Sequence, residues 1–422
     1  MATPFDILNR MREGRTLTAA EVRSVVDGAA SGAWTDVQLA AFLMAAAMRR
    51  LDRDETRELT LAMLESGDQW VLAKDFGPLV DKHSTGGVGD TVSLIALPLL
   101  ASCGVPAAKL TGRALGHSGG TADKLESIPG VRLELDRAGT LDLLDRFGMA
   151  IGIATAGIAP ADKRLYGLRD RTSTVSSIPL VVGSILSKKL ALGASGIVFD
   201  VKIGNGAFFP DARDTRSLAS SLVEISAACG TPADYVLSDM NQPLGRWVGH
   251  AAEVREALDC LAGDGDARLL EVVTAICRKA ALLVGRELSP REIDSAIGSG
   301  TALQKLVDWA DAQGARPGWV DSLDLAPVET VVTASGSGFL EAVDCRRIGN
   351  AFANACRPDR DPHRIDHAVA LRYDVRLGQR VERGQELARL YVRRDPEPLQ
   401  REVAAALVIG EEAEPPPAVM ES

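Results

Sequence analysis

Two glycine-rich turns, each following a short apolar run, constrain this chain more than any other feature of its sequence. The first turn (82–91) follows apolar residues at 79–80, and the second (111–121) follows the run at 105–110. Glycine lets successive backbone N–H groups converge on one point, and such a nest opening into a helix binds anions. Lysine, serine and threonine in both turns add donors that suit phosphate oxygens. The alternative is a pair of tight strand-to-helix turns with no ligand.

The middle of the chain alternates between short apolar runs and helical segments. This alternation predicts an α/β lobe with a largely parallel sheet, assigned to 78–159 and 194–329. In such sheets ligands bind beyond the carboxyl ends of the strands, where both glycine turns are placed. The strand-like runs lie at 79–80, 105–110, 150–153 and 196–201, and further helices are expected over 212–228, 251–261, 266–284 and 291–312.

Residues 1–66 have a purely helical pattern. Thr18 with Glu21 three residues later is a capping-box signature, and Thr35 with Gln38 is a second. Short amphipathic helices bury little surface alone, so they need a partner. We predict that the helical segment 160–193 returns to them and completes a small helical lobe, with a cleft between the two lobes.

The C-terminal part changes character again. Residues 330–410, including 338–348, alternate in the manner of strands and resemble the hammerhead sheet of biotinyl and lipoyl carriers. Those carriers need a lysine at a hairpin tip, and no lysine follows Lys305, so only the shape is shared. The acidic, proline-rich segment 411–422 is predicted to be disordered. The predicted fold class is therefore α/β, with a small helical lobe, a large α/β lobe and a C-terminal hammerhead-like α/β unit.

Charge and cysteine content narrow the function classes. The 422 residues include 47 basic and 57 acidic side chains, a net charge of −10, which argues against a nucleic-acid surface as the main partner. Six cysteines without a CxxC pair suit free thiols in a reducing cytosol. The N-terminus lacks the apolar core of a signal peptide, and no apolar run is long enough to span a membrane.

Several polar side chains stand out against their surroundings. His83 lies between a lysine and the first glycine turn, which favours a hydrogen-bond or proton donor over an ordinary surface histidine. Ser184 and Lys188 share one face of an otherwise apolar helix. Arg169 is our choice to join them and Arg171 is the competing choice, because an arginine and a lysine together stabilise a planar anion.

Three neighbouring charged residues have a simpler interpretation. Lys189 is predicted to point away from the Ser184 face into solvent. Asp123 and Glu126 lie one helical turn apart, so they are either metal ligands or, as we prefer, residues that cap a helix and pair with Lys124 or Arg113.

Five long motifs together resemble the thymidine and pyrimidine-nucleoside phosphorylase family. The resemblance runs from about residue 3 to 395, and the motifs are DKHSTGGVGD, TGRALGHSGGTADKLESIPG, YGLRDRTSTVSSIPLVVGSILSKK, DVKIGNGAF and MNQPLGRWVGHAAEVREAL. It implies a homodimer paired through the helical lobe, and phosphorolysis of a pyrimidine nucleoside by inorganic phosphate to give free base and an α-sugar 1-phosphate.

The resemblance also implies a set of site residues. Phosphate and the substrate would contact Lys82, Ser84, Ser93, Lys109, Leu110, Thr111, Leu115 and Thr121. The pyrimidine would contact His83, Arg169, Ser184 and Lys188, with His83 a candidate to protonate a ring oxygen. Apolar candidates for a thymine methyl group are Leu115, Val175 and Val181. No organic cofactor is expected, but a monovalent cation, potassium, would be held by Gly89, Thr91, Leu244, Trp247 and Glu256.

Departures from the family pattern are few. Thr111 replaces a serine and keeps the hydroxyl, Ser118 stands where threonine is common, and Trp247 replaces a small residue near the cation position. Two other readings compete with a phosphorylase. An anthranilate-type phosphoribosyltransferase shares the fold but requires magnesium, and a non-catalytic nucleoside-binding protein would not need the four base-contacting residues together.

Overall fold

The computed structural model describes residues 2–113, 119–153, 155–357 and 364–421, and no ligand is present in it. Its α-helices are α1 Pro4–Arg12, α2 Ala19–Ser31, α3 Asp36–Arg49, α4 Arg53–Glu65, α5 Leu72–Phe76, α6 Val92–Ser102, α7 Thr121–Leu125, α8 Arg137–Phe147, α9 Pro160–Arg171, α10 Ile178–Leu192, α11 Ala212–Ala228, α12 His250–Leu261, α13 Ala267–Leu282, α14 Pro290–Gly298, α15 Thr301–Ala312, α16 Cys345–Ala355 and α17 Glu397–Ala406. Its strands are β1 Val80–Ser84, β2 Ala107–Thr111, β3 Met149–Ile153, β4 Gly196–Ile203, β5 Ala233–Asp239, β6 Trp247–Val248, β7 Val328–Thr333, β8 Gly338–Val343, β9 Ala370–Tyr373, β10 Arg380–Val381, β11 Glu386–Val392, β12 Leu407–Gly410 and β13 Val419–Glu421.

The helical lobe is built from α1–α4 together with α9 and α10. Both predicted capping boxes are present: the Thr18 hydroxyl accepts the Glu21 N–H, while the Glu21 carboxylate accepts the Thr18 N–H, and Thr35 begins α3 in the same way. The lobe has its own hydrophobic core, to which Leu165 on α9 and Leu180 on α10 contribute. The mid-chain segment thus packs against the N-terminal helices.

The central sheet of the α/β lobe has the strand order β13-β5-β4-β1-β2-β3. The pairs β1–β2, β1–β4, β2–β3 and β4–β5 are parallel, and only β13 is antiparallel. The predicted α/β class with a mixed, largely parallel sheet is therefore confirmed. Since β1 and β2 are adjacent and parallel, their carboxyl ends bring both glycine turns to one edge. α6, which follows the first turn, is apolar and buried on all sides, as expected for a central core helix.

The C-terminal unit contains two small antiparallel sheets, with orders β10-β8-β12 and β6-β9-β11-β7. One of them borrows β6 from the α/β lobe, which joins the two parts. The predicted strand pattern over 338–348 holds only as far as Val343, because the Asp344 carboxylate accepts the Arg347 N–H and begins α16. Likewise the single helix expected over 291–312 is two helices, since Gly300 adopts a left-handed conformation between them.

The prediction that 411–422 is disordered is wrong for residues 416–421, which are bound to the central sheet, whereas 411–415 form no helix or strand. Val419 pairs with Ser238 on the outer edge of the central sheet. The Asp239 N–H donates to the Ala418 carbonyl at 2.9 Å, and Arg268 donates to the Pro416 carbonyl at 2.8 Å. Composition alone suggested disorder, but the open edge of β5 supplies hydrogen-bonding partners that composition does not reveal.

Among the helices of the described ranges, none combines the length and the apolar character needed to cross a membrane.

Candidate active site

A cavity of about 530 Å³ lies where the two lobes meet. The ends of β1 and β2 and the two glycine turns form one wall, and α9 and α10 form the other. Most of the predicted substrate residues line it: His83, Ser84, Lys109, Leu110, Thr111, Thr121, Arg169, Ser184 and Lys188. The candidates Leu115 and Ser118 lie outside the described residues.

Lys82 and Ser93 are placed differently from this prediction. The Lys82 ammonium is buried beneath the cavity, 3.0 Å from the Asp200 carboxylate and 3.1 Å from the Ser93 hydroxyl, and neither Lys82 nor Ser93 is among the lining residues. Alternation along β1 explains the difference, because Lys82 and His83 point to opposite faces of the sheet. Their predicted contact with phosphate stays a prediction. The hydrogen bonds of Lys82 to Asp200 and Ser93 stabilise β1 on the face of the sheet that points away from the cavity.

The first glycine turn is held closed by a carboxylate that the sequence analysis did not single out. Asp90 accepts the Ser84 hydroxyl at 2.5 Å, lies 3.4 Å from the Lys202 ammonium, and its backbone carbonyl accepts Lys124 at 2.6 Å. Burial disfavours its ionised form, but Lys202, Lys82 and Lys124 outweigh this and lower the pKa of Asp90. The Ser84 hydroxyl is therefore oriented before any ligand arrives.

Two glycines of this turn are required by packing as well as by backbone access. A Cβ on Gly87 would lie 2.3 Å from the Met240 Cε, and one on Gly89, whose φ is +64°, would lie 2.8 Å from the Trp247 carbonyl oxygen. The loop after β5 thus packs directly against the turn. A larger residue at Gly89 would displace the turn, because the contact there is with backbone and φ is positive, whereas one at Gly87 would require Met240 to move.

Positive charge is crowded at the sheet end of the cavity. The Lys109 ammonium donates to the Lys82 carbonyl at 2.8 Å. Burial first, and then the charges of Lys189 and Lys82, hold the pKa of Lys109 well below its usual range. Burial and the neighbouring lysines lower the pKa of His83 well below 6.5 in the same way. Such a site favours an anion, because a negative charge would relieve the mutual repulsion of these cations.

His83 is therefore a neutral imidazole at pH 7 in the ligand-free protein. A neutral imidazole has one N–H to donate and can accept a proton, but it has no additional proton to give up. The expectation that His83 protonates a ring oxygen is not supported in this state, whereas hydrogen-bond donation is.

The helical wall brings together the residues predicted for a planar base. Lys188 contacts the carboxylate of Asp162 on α9 and lies 3.2 Å from the Ser184 hydroxyl. Arg169 is buried and donates to the carbonyls of Val175 and Leu180 at 2.6 and 2.9 Å. These bonds tie the loop before α10 to α9, and fix the guanidinium at the cavity wall.

The choice between two arginines is decided by exposure. Arg169 is 2% exposed and lines the cavity, whereas the side chain of Arg171 is 69% exposed and donates to the Gly167 carbonyl on its own helix. The apolar part of this wall includes the predicted Val175 and Val181. Ile158, Ile185 and Phe208 also line the cavity, although sequence reasoning did not select them.

The prediction for Lys189 is wrong. Its side chain is 4% exposed, and its ammonium lies 3.0 Å from both the Asp81 carboxylate and the Leu110 carbonyl. The apolar helix α10 is covered on this side by the sheet, so a lysine there is buried and needs a charged partner. A carboxylate on the predicted buried strand, Asp81 two residues before His83, was the sequence feature that could have indicated a buried cationic partner.

The acidic pair on and after α7 is accounted for by ion pairs, as preferred from the sequence. Arg113 contacts Glu126 at 2.5 Å and Asp123 at 3.3 Å. Lys124 instead pairs with Glu253 at 2.6 Å. The Lys124–Glu253 bridge holds α7 against α12, and the bridges of Arg113 tie the second glycine turn to α7.

The five residues predicted to hold a monovalent cation lie together. The Thr91 hydroxyl is 3.1 Å from the Glu256 carboxylate, and backbone bonds from Leu244 to Val88 and from Gly245 to Gly89 align the two loops. Burial raises the pKa of Glu256 to about 8. The partners that the structure shows for this carboxylate are neutral, the Thr91 hydroxyl and the Arg246 N–H.

The donor set therefore fits a hard monovalent cation. A buried carboxylate with no cationic side chain bonded to it favours one, and hydroxyl and carbonyl oxygens are suitable additional ligands. The substitution at Trp247 does not interfere, because its ring packs on Tyr391 at 5.9 Å and under Arg372. The Trp247 carbonyl remains beside Gly89.

Comparison with known proteins agrees with this geometry. Residues 76–303 match the model described as "Glycosyl transferase family, a/b domain", and residues 5–67 match the helical bundle domain of the same family. The chain is 39% identical over 399 residues to the pyrimidine-nucleoside phosphorylase of Geobacillus stearothermophilus, covering 92% of each. It is 41% identical over 430 residues to the thymidine phosphorylase of Sinorhizobium fredii, covering 97% of this chain and 96% of the relative.

A solved structure shows the same fold at greater distance. The anthranilate phosphoribosyltransferase of Thermus thermophilus superposes with a TM-score of 0.59 at 20% identity, over 73% of this chain and 99% of the other. That degree of likeness concerns the fold.

The charge state of His83 is directly measurable. We expect its ring nitrogens, followed by ¹⁵N NMR and assigned with a His83→Gln spectrum, to show no protonation between about pH 8 and pH 6, because burial and, after it, the neighbouring lysines lower the pKa of His83. Saturating inorganic phosphate should raise this pKa. Titration of the free protein with an ordinary midpoint near 6.5 would contradict the described electrostatics.

Proposed function

Since the chain belongs to the family of pyrimidine-nucleoside and thymidine phosphorylases, we propose that it catalyses the reversible phosphorolysis of pyrimidine nucleosides. The products are the free base and an α-D-ribose or deoxyribose 1-phosphate. One observation carries the proposal for this chain: His83 and Lys188 line the same cavity, one on the cation-rich wall and the other on the wall of α9 and α10.

Inorganic phosphate is assigned to the wall formed by the glycine turns. Lys109, Ser84, Thr111 and Thr121 line this wall, and the crowded cations favour a dianion there. Thr111 keeps the hydroxyl of the serine it replaces. Phosphate on this side attacks the sugar carbon from the face opposite the base, which inverts that carbon.

The base is assigned to the helical wall. When the bond between sugar and base breaks, the pyrimidine leaves with negative charge on its oxygens and ring nitrogen. Arg169 and Lys188 stabilise that charge, Ser184 supplies a hydroxyl, and neutral His83 donates a hydrogen bond from the opposite wall. Closure of the lobes would align the phosphate with the sugar and exclude water.

One assay distinguishes a phosphorylase from the alternative functions, an anthranilate-type phosphoribosyltransferase and a non-catalytic nucleoside-binding protein. Uridine or thymidine is incubated with inorganic phosphate without magnesium, and free base and sugar phosphate are measured. A phosphorylase releases both, an anthranilate-type phosphoribosyltransferase releases neither, and a nucleoside-binding protein retains the nucleoside intact. Absence of product with all three of thymidine, deoxyuridine and uridine would overturn the proposed function.

Lys188→Ala tests the base site. We expect phosphorolysis to fall by about 10²–10³-fold with the fold retained, since one donor that stabilises developing charge is lost. Arg171→Ala is the matched control, because that arginine is exposed, and it should keep wild-type turnover. Near-normal turnover of the Lys188 variant would remove this lysine from the site.

We also propose that potassium occupies the position formed by Gly89, Thr91, Leu244, Trp247 and Glu256. The ion would neutralise the Glu256 carboxylate and fix the first glycine turn to the loop before β6. Because burial raises the pKa of Glu256 from 4.5 to about 8, its contribution without a cation favours folding below about pH 4.5 and is lost as pH rises towards 8. A bound cation would reverse this loss, because it needs the ionised carboxylate.

Potassium binding is expected to appear as a pH-dependent thermal shift. Potassium chloride should raise the Tm by a few degrees relative to tetramethylammonium chloride, and more at about pH 8.5 than at pH 6, where the proton competes. Glu256→Gln should abolish the difference between the two salts. Equal Tm values in both salts at pH 8.5 for the wild-type protein would exclude the site.

A homodimer is proposed on the basis of an apolar stripe on the helical lobe. Val37, Ala41, Met44 and Met48 recur at helical spacing on the outer face of α3, and Val37 and Met48 are about 80% exposed. Phe5 of α1 is also strongly exposed. The occupant we assign is the same face of a second copy, as expected for a two-fold interface.

Charged residues in the stripe should separate the subunits. We expect Val37→Glu/Met48→Glu to shift the mass measured by light scattering from two chains to one, 44.6 kDa. Leu282→Glu is the control, because Leu282 at the end of α13 is a large apolar residue that is 60% exposed and lies outside the stripe, and it should leave the mass unchanged. A wild-type protein that elutes as one chain would contradict the assignment.

The six cysteines are unpaired, and five of them are buried. This is consistent with the cytosolic location that we propose, where thiols remain reduced.

A further inference from the structure

Two consecutive lysines of α10 reach into different lobes. Lys188 contacts Asp162 within the helical lobe, whereas Lys189 contacts Asp81 on β1 of the α/β lobe. Adjacent residues on a helix are about 100° apart, so one turn of α10 presents one ammonium to each side. Both lysines line the cavity, but in different surroundings.

The Lys189 ammonium joins three elements at their points of contact with the site. Asp81 lies on the same face of β1 as His83, two residues away, and Leu110 immediately precedes Thr111 at the end of β2. Both oxygens contacted are 3.0 Å from the ammonium. The second carboxylate oxygen of Asp81 is buried and has no hydrogen-bond partner within the described part of the chain. Lys189 is thus the cation that is hydrogen-bonded to this aspartate, and Lys109 adds a second, more distant positive charge.

We propose that Lys189 is a positioning residue, which fixes the base-binding helix α10 to the phosphate-binding strands β1 and β2 and thereby aligns Lys188 with His83. This inference rests on the function proposed above. A buried ion pair contributes little net stability but penalises every arrangement in which one partner loses the other. The Lys189–Asp81 pair therefore restricts the relative position of the two walls.

Lys189 also acts on His83 through its charge. After burial, it is the neighbour that lowers the pKa of this imidazole most. The pair Lys189–Asp81 is neutral as a whole, so removing both charges should affect His83 less than removing the lysine alone. The charged groups that surround His83 are Lys82 and Asp81 on β1, Lys109 on β2, Lys188 and Lys189 on α10, and Asp162 on α9.

Lys189→Met tests both effects in the full-length protein. We expect kcat for thymidine or uridine phosphorolysis to fall by about 10²-fold, since misalignment of reacting groups has effects of this size, with a smaller change in KM for either substrate. The ¹⁵N titration of His83 should move to higher pH. A residue that only stabilises the fold would lower the Tm and leave the kcat of the folded fraction unchanged, even though the loss of its charge would still move the His83 titration.

Two further variants keep the test decisive. Lys279→Met removes an ion pair to Asp234, 2.8 Å long, that stays within the α/β lobe, and it should change neither kcat nor the His83 titration. Asp81→Asn/Lys189→Met leaves no unpaired buried charge, so it covers the case in which the single variant does not fold. We expect it to keep a low kcat while His83 titrates near its wild-type position.

The outcomes distinguish this inference from the function on which it rests. Wild-type kcat in either Lys189 variant, with an active wild-type enzyme, would overturn the positioning role alone. A wild-type protein that releases no sugar phosphate would overturn the proposed function and this role with it.

Discussion

The repulsion among buried lysines at the end of the sheet is the constraint on which the site depends. Lys82, Lys109, Lys189 and Lys202 are all nearly inaccessible, and such a cluster is tolerated only because carboxylates compensate it from behind. Asp200 and Asp81 serve this purpose. On the cavity side, burial first and then the neighbouring lysines lower the pKa values of Lys109 and His83. A bound anion would complete the compensation on that side.

The hydrogen-bond or ion-pair partner of each lysine indicates the role of that lysine. Lys82 is paired to Asp200 within the sheet and supports the strand, while Lys189 is paired across the lobes and fixes their relation. Lys188 is paired with Asp162 at the cavity wall. This pair orients the Lys188 ammonium, but the side chain remains 38% exposed. Lys109 donates to a backbone carbonyl, which leaves its charge uncompensated by that bond. Residue type is the same in each case, and the partner decides the role.

Much of the fold is predictable from the sequence because local signals report it, whereas most of the residues that line the cavity are indicated by the resemblance to the phosphorylase family. The capping boxes of α2 and α3, the strand–helix alternation and the turns after β1 and β2 depend on neighbours in the chain. The missed features depend on distant neighbours. Lys189 was placed in solvent because nothing near it in sequence shows that Asp81 faces it, and the roles of Asp90 and Asp162 depend on lysines far along the chain. The boundaries of the lobes and the choice of sugar also depend on contacts between residues far apart in the chain, so local patterns do not determine them.

The pairing of Val419 with β5 protects an edge of the central sheet with a strand that lies far away in the chain. Without β13, the backbone N–H and C=O groups on that edge of β5 would be free to pair with strands from other molecules. β13 therefore acts as a guard against edge-to-edge aggregation.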